Sequence, residues 1–364
     1  MQTTVVGRPV SELDTPFLLI DLDAFERNIA AMAADINGRG AQWRPHSKAH
    51  KCPAVAHTLI AAGAIGITCA KLGEAEVFVA NGIKDILIAN QIVGPIKTRR
   101  LAALCRQADV IVAVDNPDNV RELNEAALTA GSRPRVVIEV NVGMERCGVL
   151  PGQPTVELAK LVNDSPGLRF AGLMAWEGHT MAMQVSPERD AEIVRACKSL
   201  VASAEAVRAA GLTVDIVSAG GTGTYLTTSG IEGITEVEAG GGIWGDVSYR
   251  KIGANVEPAL SLVSQVTSRP TATRVIIDAG RKTVDPSAHA PVARDLETVG
   301  NHGFSAEHGT LNLANPSETP KIADRIYFNI GYSDQCTHLH EAFYGVRNGL
   351  IESVWPTSAR GKLQ

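Results

Sequence analysis

Val110-Ile-Val-Ala-Val114, then Pro117-Asp-Asn-Val-Arg-Glu-Leu-Asn-Glu-Ala-Ala-Leu-Thr-Ala130, then Arg135-Val-Val-Ile-Glu-Val140 is the stretch whose reading decides the fold. The outer runs are apolar without polar alternation, as in strands buried on both faces, and the Ala-rich segment between them has helical length. Strand, helix, strand at this spacing is a parallel βαβ unit. The same alternation extends both ways along the chain. Apolar runs at 64–68, 85–89, 168–174 and 214–218 read as strands, and the segments 71–81, 95–108, 154–163 and 187–210 read as helices. Phe17-Leu-Leu-Ile-Asp21, after Thr15-Pro16 and before helical spacing over 24–36, reads as the first strand of the series.

So many units in succession predict a closed (β/α)8 barrel of the TIM type. From about residue 257 the texture changes to strand-like runs at 260–267, 273–278, 325–330 and 343–346, punctuated by Gly, Pro and Asn. The expected division is a barrel domain over 15–255 and a smaller, mainly β domain over 256–364 together with residues 1–14.

A chain of 364 residues with 45% hydrophobic content can bury a sizeable core in such an arrangement. Its net charge of -5 is spread along the chain with no basic stripe, which excludes nucleic acid as an expected partner. No apolar stretch approaches the roughly 20 residues that span a bilayer, and residues 1–10 lack the pattern of a leader, so a cytoplasmic protein is expected. Cys52, Cys69, Cys105, Cys147, Cys197 and Cys336 are scattered without CxxC pairing and read as reduced thiols.

Five clusters carry chemistry. Arg44-Pro-His-Ser-Lys-Ala-His-Lys51 falls where a barrel strand should end, the face on which barrel active sites lie. Lys48 there could be a Schiff-base lysine, or the cluster could be a solvated basic loop. Val217-Ser-Ala-Gly-Gly-Thr-Gly-Thr224 is a strand running into a Gly-rich turn, where Gly221 and Gly223 let backbone N–H groups approach an anion and Thr222 and Thr224 add hydroxyls. Glu238-Ala-Gly-Gly-Gly-Ile243 repeats the signal one strand later, and two such loops on successive strands point to a phosphate group. In Glu139-Val-Asn-Val-Gly-Met-Glu-Arg-Cys-Gly148, Arg146 could meet a ligand or form a surface ion pair. In Ala175-Trp-Glu-Gly-His179, Trp176 could stack on a planar ring or simply be buried, and His179 could be an acid or base or a satisfied histidine.

In this combination and order the segments resemble the fold-type III pyridoxal 5′-phosphate (PLP) enzymes, the alanine racemase-like group, and more closely its branch of D-threonine aldolase, 3-hydroxy-D-aspartate aldolase and D-serine dehydratase. The resemblance runs from Thr15-Pro-Phe17 to Val354-Trp-Pro356. It implies that Lys48, in the family's PHxK(T/A)HK signature, holds PLP as a Schiff base. It implies that Arg146, in GMxRCG, faces the pyridine nitrogen, and that Trp176 stands where the family has tyrosine before EGH. The phosphate loop SGGGTGTY maps to Ser218 through Tyr225 with Ala219 replacing one glycine, and a second phosphate loop maps to Gly241 and Gly242.

The family's aldolases and dehydratases hold a divalent metal (Mn, Mg or Zn) through His-x-Asp or His-x-Cys. Here Asp334 matches, but Tyr332 stands at the histidine position. Three readings stay open: His338 or His340 supplies the missing nitrogen, Asp334 and water hold the ion, or Tyr332 transfers protons without a metal. The implied activity is a lyase acting on D-configured β-hydroxy-α-amino acids, by retro-aldol cleavage to glycine and an aldehyde. His179, Tyr332 or metal-bound water would take the β-hydroxyl proton. The alternatives are a dehydratase yielding a keto acid and ammonia, and a non-catalytic PLP carrier. Family members of this arrangement are commonly homodimers.

Overall fold

The computed structural model describes residues 5–300 and 302–364. The chain forms two compact units, one made of Met32–Lys48, Ala56–Gly240 and Gly361–Gln364, the other of residues 5–31, Ala49–Val55 and Gly241–Arg360. The first strand, β1 (Phe17–Asp21), lies in the second unit, which departs from the expected barrel start at residue 15. It pairs antiparallel with residues 260–263 and parallel with residues 343–346, so its partners are strands of the C-terminal region.

The first unit is a parallel sheet of eight strands: β2 (Gln42–Trp43), β3 (Ile67–Cys69), β4 (Asp85–Gln91), β5 (Asp109–Val114), β6 (Arg135–Glu139), β7 (Arg169–Met174), β8 (Ile216–Ala219) and β9 (Glu236–Val237). Their order is β2-β9-β8-β7-β6-β5-β4-β3. The sheet closes into a barrel where the chain leaving β2 runs beside β3. Ile65 N donates to Trp43 O and Thr68 N to Pro45 O, each at 2.9 Å, and His46 bridges Thr68. Helices over Leu72–Ala80, Pro95–Leu104, Pro117–Ala130, Gln153–Asn163 and Pro187–Ala209 connect the strands. Pro at the start of several of them fits a first turn whose N–H has no partner within the helix.

Alternate strand residues face the barrel interior, and they change character along it. At the strand starts is an ionic layer. Arg44, with a side chain 2% exposed, reaches Asp85 at 2.5 Å and Glu236 at 3.0 Å, while Arg135 reaches Asp109 at 2.8 Å and Asp85 at 3.1 Å. Arg44 is thus no part of a solvated basic loop. Above it, Leu87, Ile111, Ala113, Val137, Ala171, Met174 and Ile216 form a cluster drawn entirely from strands. Toward the strand ends the interior turns polar again: Gln91 Nε2 donates to Glu139 at 2.7 Å and Ser218 Oγ to Glu238 at 2.9 Å. A barrel that is apolar in the middle and polar at its C-terminal mouth places its chemistry at that mouth.

The second unit is a nine-stranded, mainly antiparallel sheet. Besides β1 it contains β10 (Leu260–Thr271), β11 (Arg274–Ile277), β12 (Val292–Ala293), β13 (Gly303–Phe304), β14 (Gly309–Asn312), β15 (Arg325–Asn329), β16 (Ala342–Arg347) and β17 (Leu350–Pro356). Leu13, Phe17, Leu19, Val263, Val346 and Ile351 pack into one core on it. A second cluster is aromatic, with Trp244 stacked on Phe25 at 5.3 Å and tilted on Phe343 at 5.1 Å. None of the six cysteines, all of them among the described residues, is in a disulfide, and four are buried. No helix among the described residues is long and apolar enough to cross a membrane.

Candidate active site

Lys48 sits in a short 3-10 turn, Ser47–Ala49, at the end of the segment that closes the barrel. That segment is held as wall, with Arg44 N bonded to Val237 O at 2.9 Å and His46 N to Glu238 O at 3.0 Å. Lys48 is half-buried, and its backbone N–H donates to His46 Nδ1 at 3.3 Å. The lysine therefore leaves the barrel at the C-terminal strand end, on a turn whose approach is fixed by hydrogen bonds to both neighbouring strands.

The Gly-rich turn after β8 stands at the same end. Ser218, Thr222 and Thr224 are all buried there, and Gly221 N donates to Thr224 Oγ1 at 3.0 Å. The turn lies so close to the Trp176 ring that a Cβ at Gly221 would come within 2.6 Å of it. Trp176 is half-buried with its ring close against the Gly221 backbone, and only glycine permits that approach. Glu177, fully buried, ties the loop after β7 to this turn: it accepts from Thr228 Oγ1 at 2.7 Å and from Gly220 N at 3.3 Å. From the helix Pro187–Ala209, the buried Arg189 donates to Gly223 O at 2.6 Å, and burial lowers its guanidinium pKa.

Arg146, about half exposed, lies 3.5 Å from Glu139 in the loop after β6. Cys147 Sγ donates to the same carboxylate at 3.0 Å. Burial, with Glu139 beside it, raises the Cys147 thiol pKa, so Cys147 stays a thiol. His179 follows β7 in the turn Gly178–Ala182, its Nε2 2.7 Å from Glu192 Oε1. The β6 loop presses on its ring: a Cβ at Gly143, whose φ is +128°, would lie 2.9 Å from His179 Cε1.

Gly241 and Gly242 belong to the second unit, in the turn Gly241–Trp244, with the Gly241 backbone against the Tyr249 ring. Tyr249 meets Tyr332 edge-on at 5.8 Å, and Tyr332 Oη donates to Asp334 Oδ2 at 3.0 Å. Burial, then Asp334, raises the Tyr332 phenol far above its ordinary value, so it remains a donor. Asp246 anchors this group, accepting from Ser333 N and Oγ at 2.8 Å and from Tyr249 N at 2.9 Å. His340 Nε2 is 2.8 Å from Thr283 O, and the exposed His338 places Nδ1 3.3 Å from Asp334 O, a carbonyl. Among the described residues no three His, Cys, Asp or Glu side chains gather to hold a metal. With Tyr332 on its carboxylate, Asp334 offers too few donors for a first-row divalent ion, and these residues do not fit one.

Sequence reasoning missed Arg189, Glu192 and Arg195. Their i, i+3, i+6 spacing puts all three on one helix face, a signal that resembles an ordinary solvated charge stripe.

The chain matches the family described as alanine racemase, N-terminal domain, over residues 20–248, and the one described as "Putative serine dehydratase domain" over residues 259–346. It is 36% identical to a D-threonine aldolase from Arthrobacter sp, covering 98% of this chain and 95% of that protein. To a 3-hydroxy-D-aspartate aldolase from Paracoccus denitrificans it is 34% identical, covering 98% and 94%. The crystal structure of D-threonine aldolase from Filomicrobium marinum superposes with a TM-score of 0.95 at 36% identity, covering 99% of this chain and 98% of that one. The chain therefore belongs to the alanine racemase N-terminal-domain family, with full-length similarity to its D-threonine aldolase-type members.

Proposed function

We propose that this protein is a PLP-dependent lyase that cleaves D-configured β-hydroxy-α-amino acids between Cα and Cβ, giving glycine and an aldehyde. The observation that carries the reading is the presence, at one end of one barrel, of Lys48 and a glycine turn lined by buried hydroxyls, in a chain similar over its full length to aldolases of this class.

The residues fit PLP. Gly221 keeps a side chain out of the turn, and Thr222 and Thr224 with the backbone N–H groups there would hold its phosphate. Gly241 and Gly242 would add a second phosphate loop. Lys48 would anchor the cofactor through its amine, Trp176 would pack beside the ring and Arg146 would face its nitrogen. When bound, PLP supplies an electron sink for the pair released at the substrate's Cα.

The protein's own part is to orient the substrate and move one proton. His179 takes the β-hydroxyl proton, while Tyr332 donates its own hydrogen bond to Asp334. No step uses a metal ion. The reading extends to a cytoplasmic homodimer acting on small D-amino acids, and sedimentation of the purified protein checks the dimer.

The match of residues 259–346 to a serine dehydratase domain favours a second reading, loss of the β-hydroxyl to give a keto acid and ammonia. Product analysis of purified, PLP-loaded protein on D-threonine, D-3-hydroxyaspartate and D-serine separates the two. Aldehyde with glycine is expected. Ammonia with a keto acid establishes the dehydratase, and turnover of none of the three overturns the lyase reading.

A further inference from the structure

His179 is held by a carboxylate that is itself held. Arg195 approaches Glu192 with two donors, Nε to Oε2 at 2.7 Å and Nη2 to Oε1 at 2.6 Å, the two-pronged arrangement that fixes a carboxylate's orientation. Arg195 Nη2 also reaches Val142 O at 3.2 Å, tying the helix Pro187–Ala209 to the loop after β6. Glu192 Oε1 then lies 2.7 Å from His179 Nε2. The Arg195 guanidinium, and after it His179, hold the Glu192 carboxyl down to about 2, so at neutral pH it can only accept.

The tautomer of His179 follows from this. An accepting carboxylate at hydrogen-bond distance requires Nε2 to carry the proton, and in a neutral imidazole Nδ1 is then the acceptor. Nδ1 is buried and has no hydrogen-bond partner among the described residues. The ring is confined by the Gly143 backbone, where any side chain would collide with it. A basic nitrogen shielded from water and left without a protein partner, just past the C-terminal end of a barrel strand, is available to a ligand.

We propose that Glu192, clamped by Arg195, is a positioning residue that fixes His179 in the Nε2–H tautomer, so that Nδ1 accepts the proton of the substrate's β-hydroxyl. This rests on the lyase reading above. The β-hydroxyl proton goes to Nδ1, and the O–H electron pair becomes the second C–O bond of the aldehyde. The Cα–Cβ bond breaks with its pair leaving to Cα, which takes a proton from solvent to complete glycine, and His179 gives up its proton once the products leave and water enters. Glu192 does not touch the substrate. It balances the imidazolium that forms and keeps the ring from turning.

The test uses the PLP-loaded enzyme with ¹⁵N-labelled histidine, the His179 signal being assigned from its loss in His179→Gln. In the wild type the imidazole shifts should show Nε2 protonated and Nδ1 bare, and in Glu192→Gln a mixture of tautomers. Glu192→Gln should lower kcat by about 10- to 100-fold, within what a placed base contributes, with KM near the wild-type value. Glu192→Asp should recover part of the loss. In a His179→Gln background, Glu192→Gln should add less than about a twofold effect, because the two act as one unit.

A bare Nε2 in the wild type overturns the proposal, as does an unchanged kcat in Glu192→Gln, or a loss equally large without His179. A wild type that cleaves no D-β-hydroxy-amino acid sinks the lyase reading instead, and the tautomer measurement still decides the clamp.

Discussion

Ser218 Oγ donates to Glu238 Oε1 across 2.9 Å inside the barrel mouth, and Glu238 is the acid of that pair whose charge the barrel resists. Burial, then the neighbouring Glu236, pushes its carboxyl from 4.5 up to about 8. The unfolded chain releases this proton near the ordinary value while the folded barrel keeps it until about pH 8. The associated stability is therefore complete below about pH 4.5 and is lost as pH rises through 8. The unfolding free energy from urea titrations should fall over this window by an amount on the order of a few kcal/mol, and Glu238→Gln should flatten the fall. An equal slope in the variant would mean that Glu238 ionises in the folded state like a surface acid.

Gly221 is a steric test of the phosphate turn. A methyl there lands 2.6 Å from the Trp176 ring, so Gly221→Ala must displace either the ring or the turn. The variant should retain PLP at least about tenfold less tightly by equilibrium dialysis while losing only about 1–3 kcal/mol of stability, the usual cost of local overpacking. Wild-type retention would place the cofactor's phosphate elsewhere.

At the other end of the barrel, Arg44 is buried between Asp85 and Glu236. Arg44→Met removes the cation and leaves the buried Glu236 without its partner, a change that costs about 3–5 kcal/mol in comparable sites. Denaturant unfolding should show that loss. Activity at temperatures where the variant stays folded should be nearly unchanged, since the ionic layer lies at the strand starts and the proposed chemistry at the strand ends.

Tyr332 on Asp334 predicts a lyase that chelators leave active. Wild-type turnover should change less than about twofold after chelation, and Tyr332→Phe, which removes the phenol's bond to the Asp334 carboxylate, should cost about 1–3 kcal/mol of stability by denaturant unfolding. Tyr332→His places an imidazole two residues from Asp334, and its bound Mn²⁺ after dialysis, read by elemental analysis, should rise well above that of the wild type. Wild-type activity that vanishes on chelation and returns with Mn²⁺ contradicts the metal-free mechanism.

Much of this was legible in the sequence, for physical reasons. Strands buried on both faces leave unbroken apolar runs, which is why β5 and β6 and the helix Pro117–Ala130 between them are readable from residues 110–140 alone. The two-residue strands β2 and β9 leave no such run, because Arg44, just after β2, and Glu236, in β9, serve the ionic layer. Phe17–Asp21 is readable as a strand but not as a member of the second sheet. That membership is decided by backbone pairing with residues more than two hundred positions away, and no local pattern carries it.

The site shows the same division. Glycine turns and the lysine loop stand out by composition, whereas Glu192 and Arg195 look like a solvated helix face until the fold brings them to His179. Tyr332 stands out in the sequence as a departure from the family pattern, but its hydrogen bond to Asp334 is set by the local fold and has no sequence signal.

Borohydride reduction of the PLP-loaded protein followed by peptide mass spectrometry shows which lysine carries the cofactor. A pyridoxyl-phosphate adduct on the peptide containing Lys48, absent in Lys48→Ala, is the predicted result. An adduct on another lysine, or a visible cofactor band that persists in Lys48→Ala, would rule Lys48 out as the Schiff-base residue.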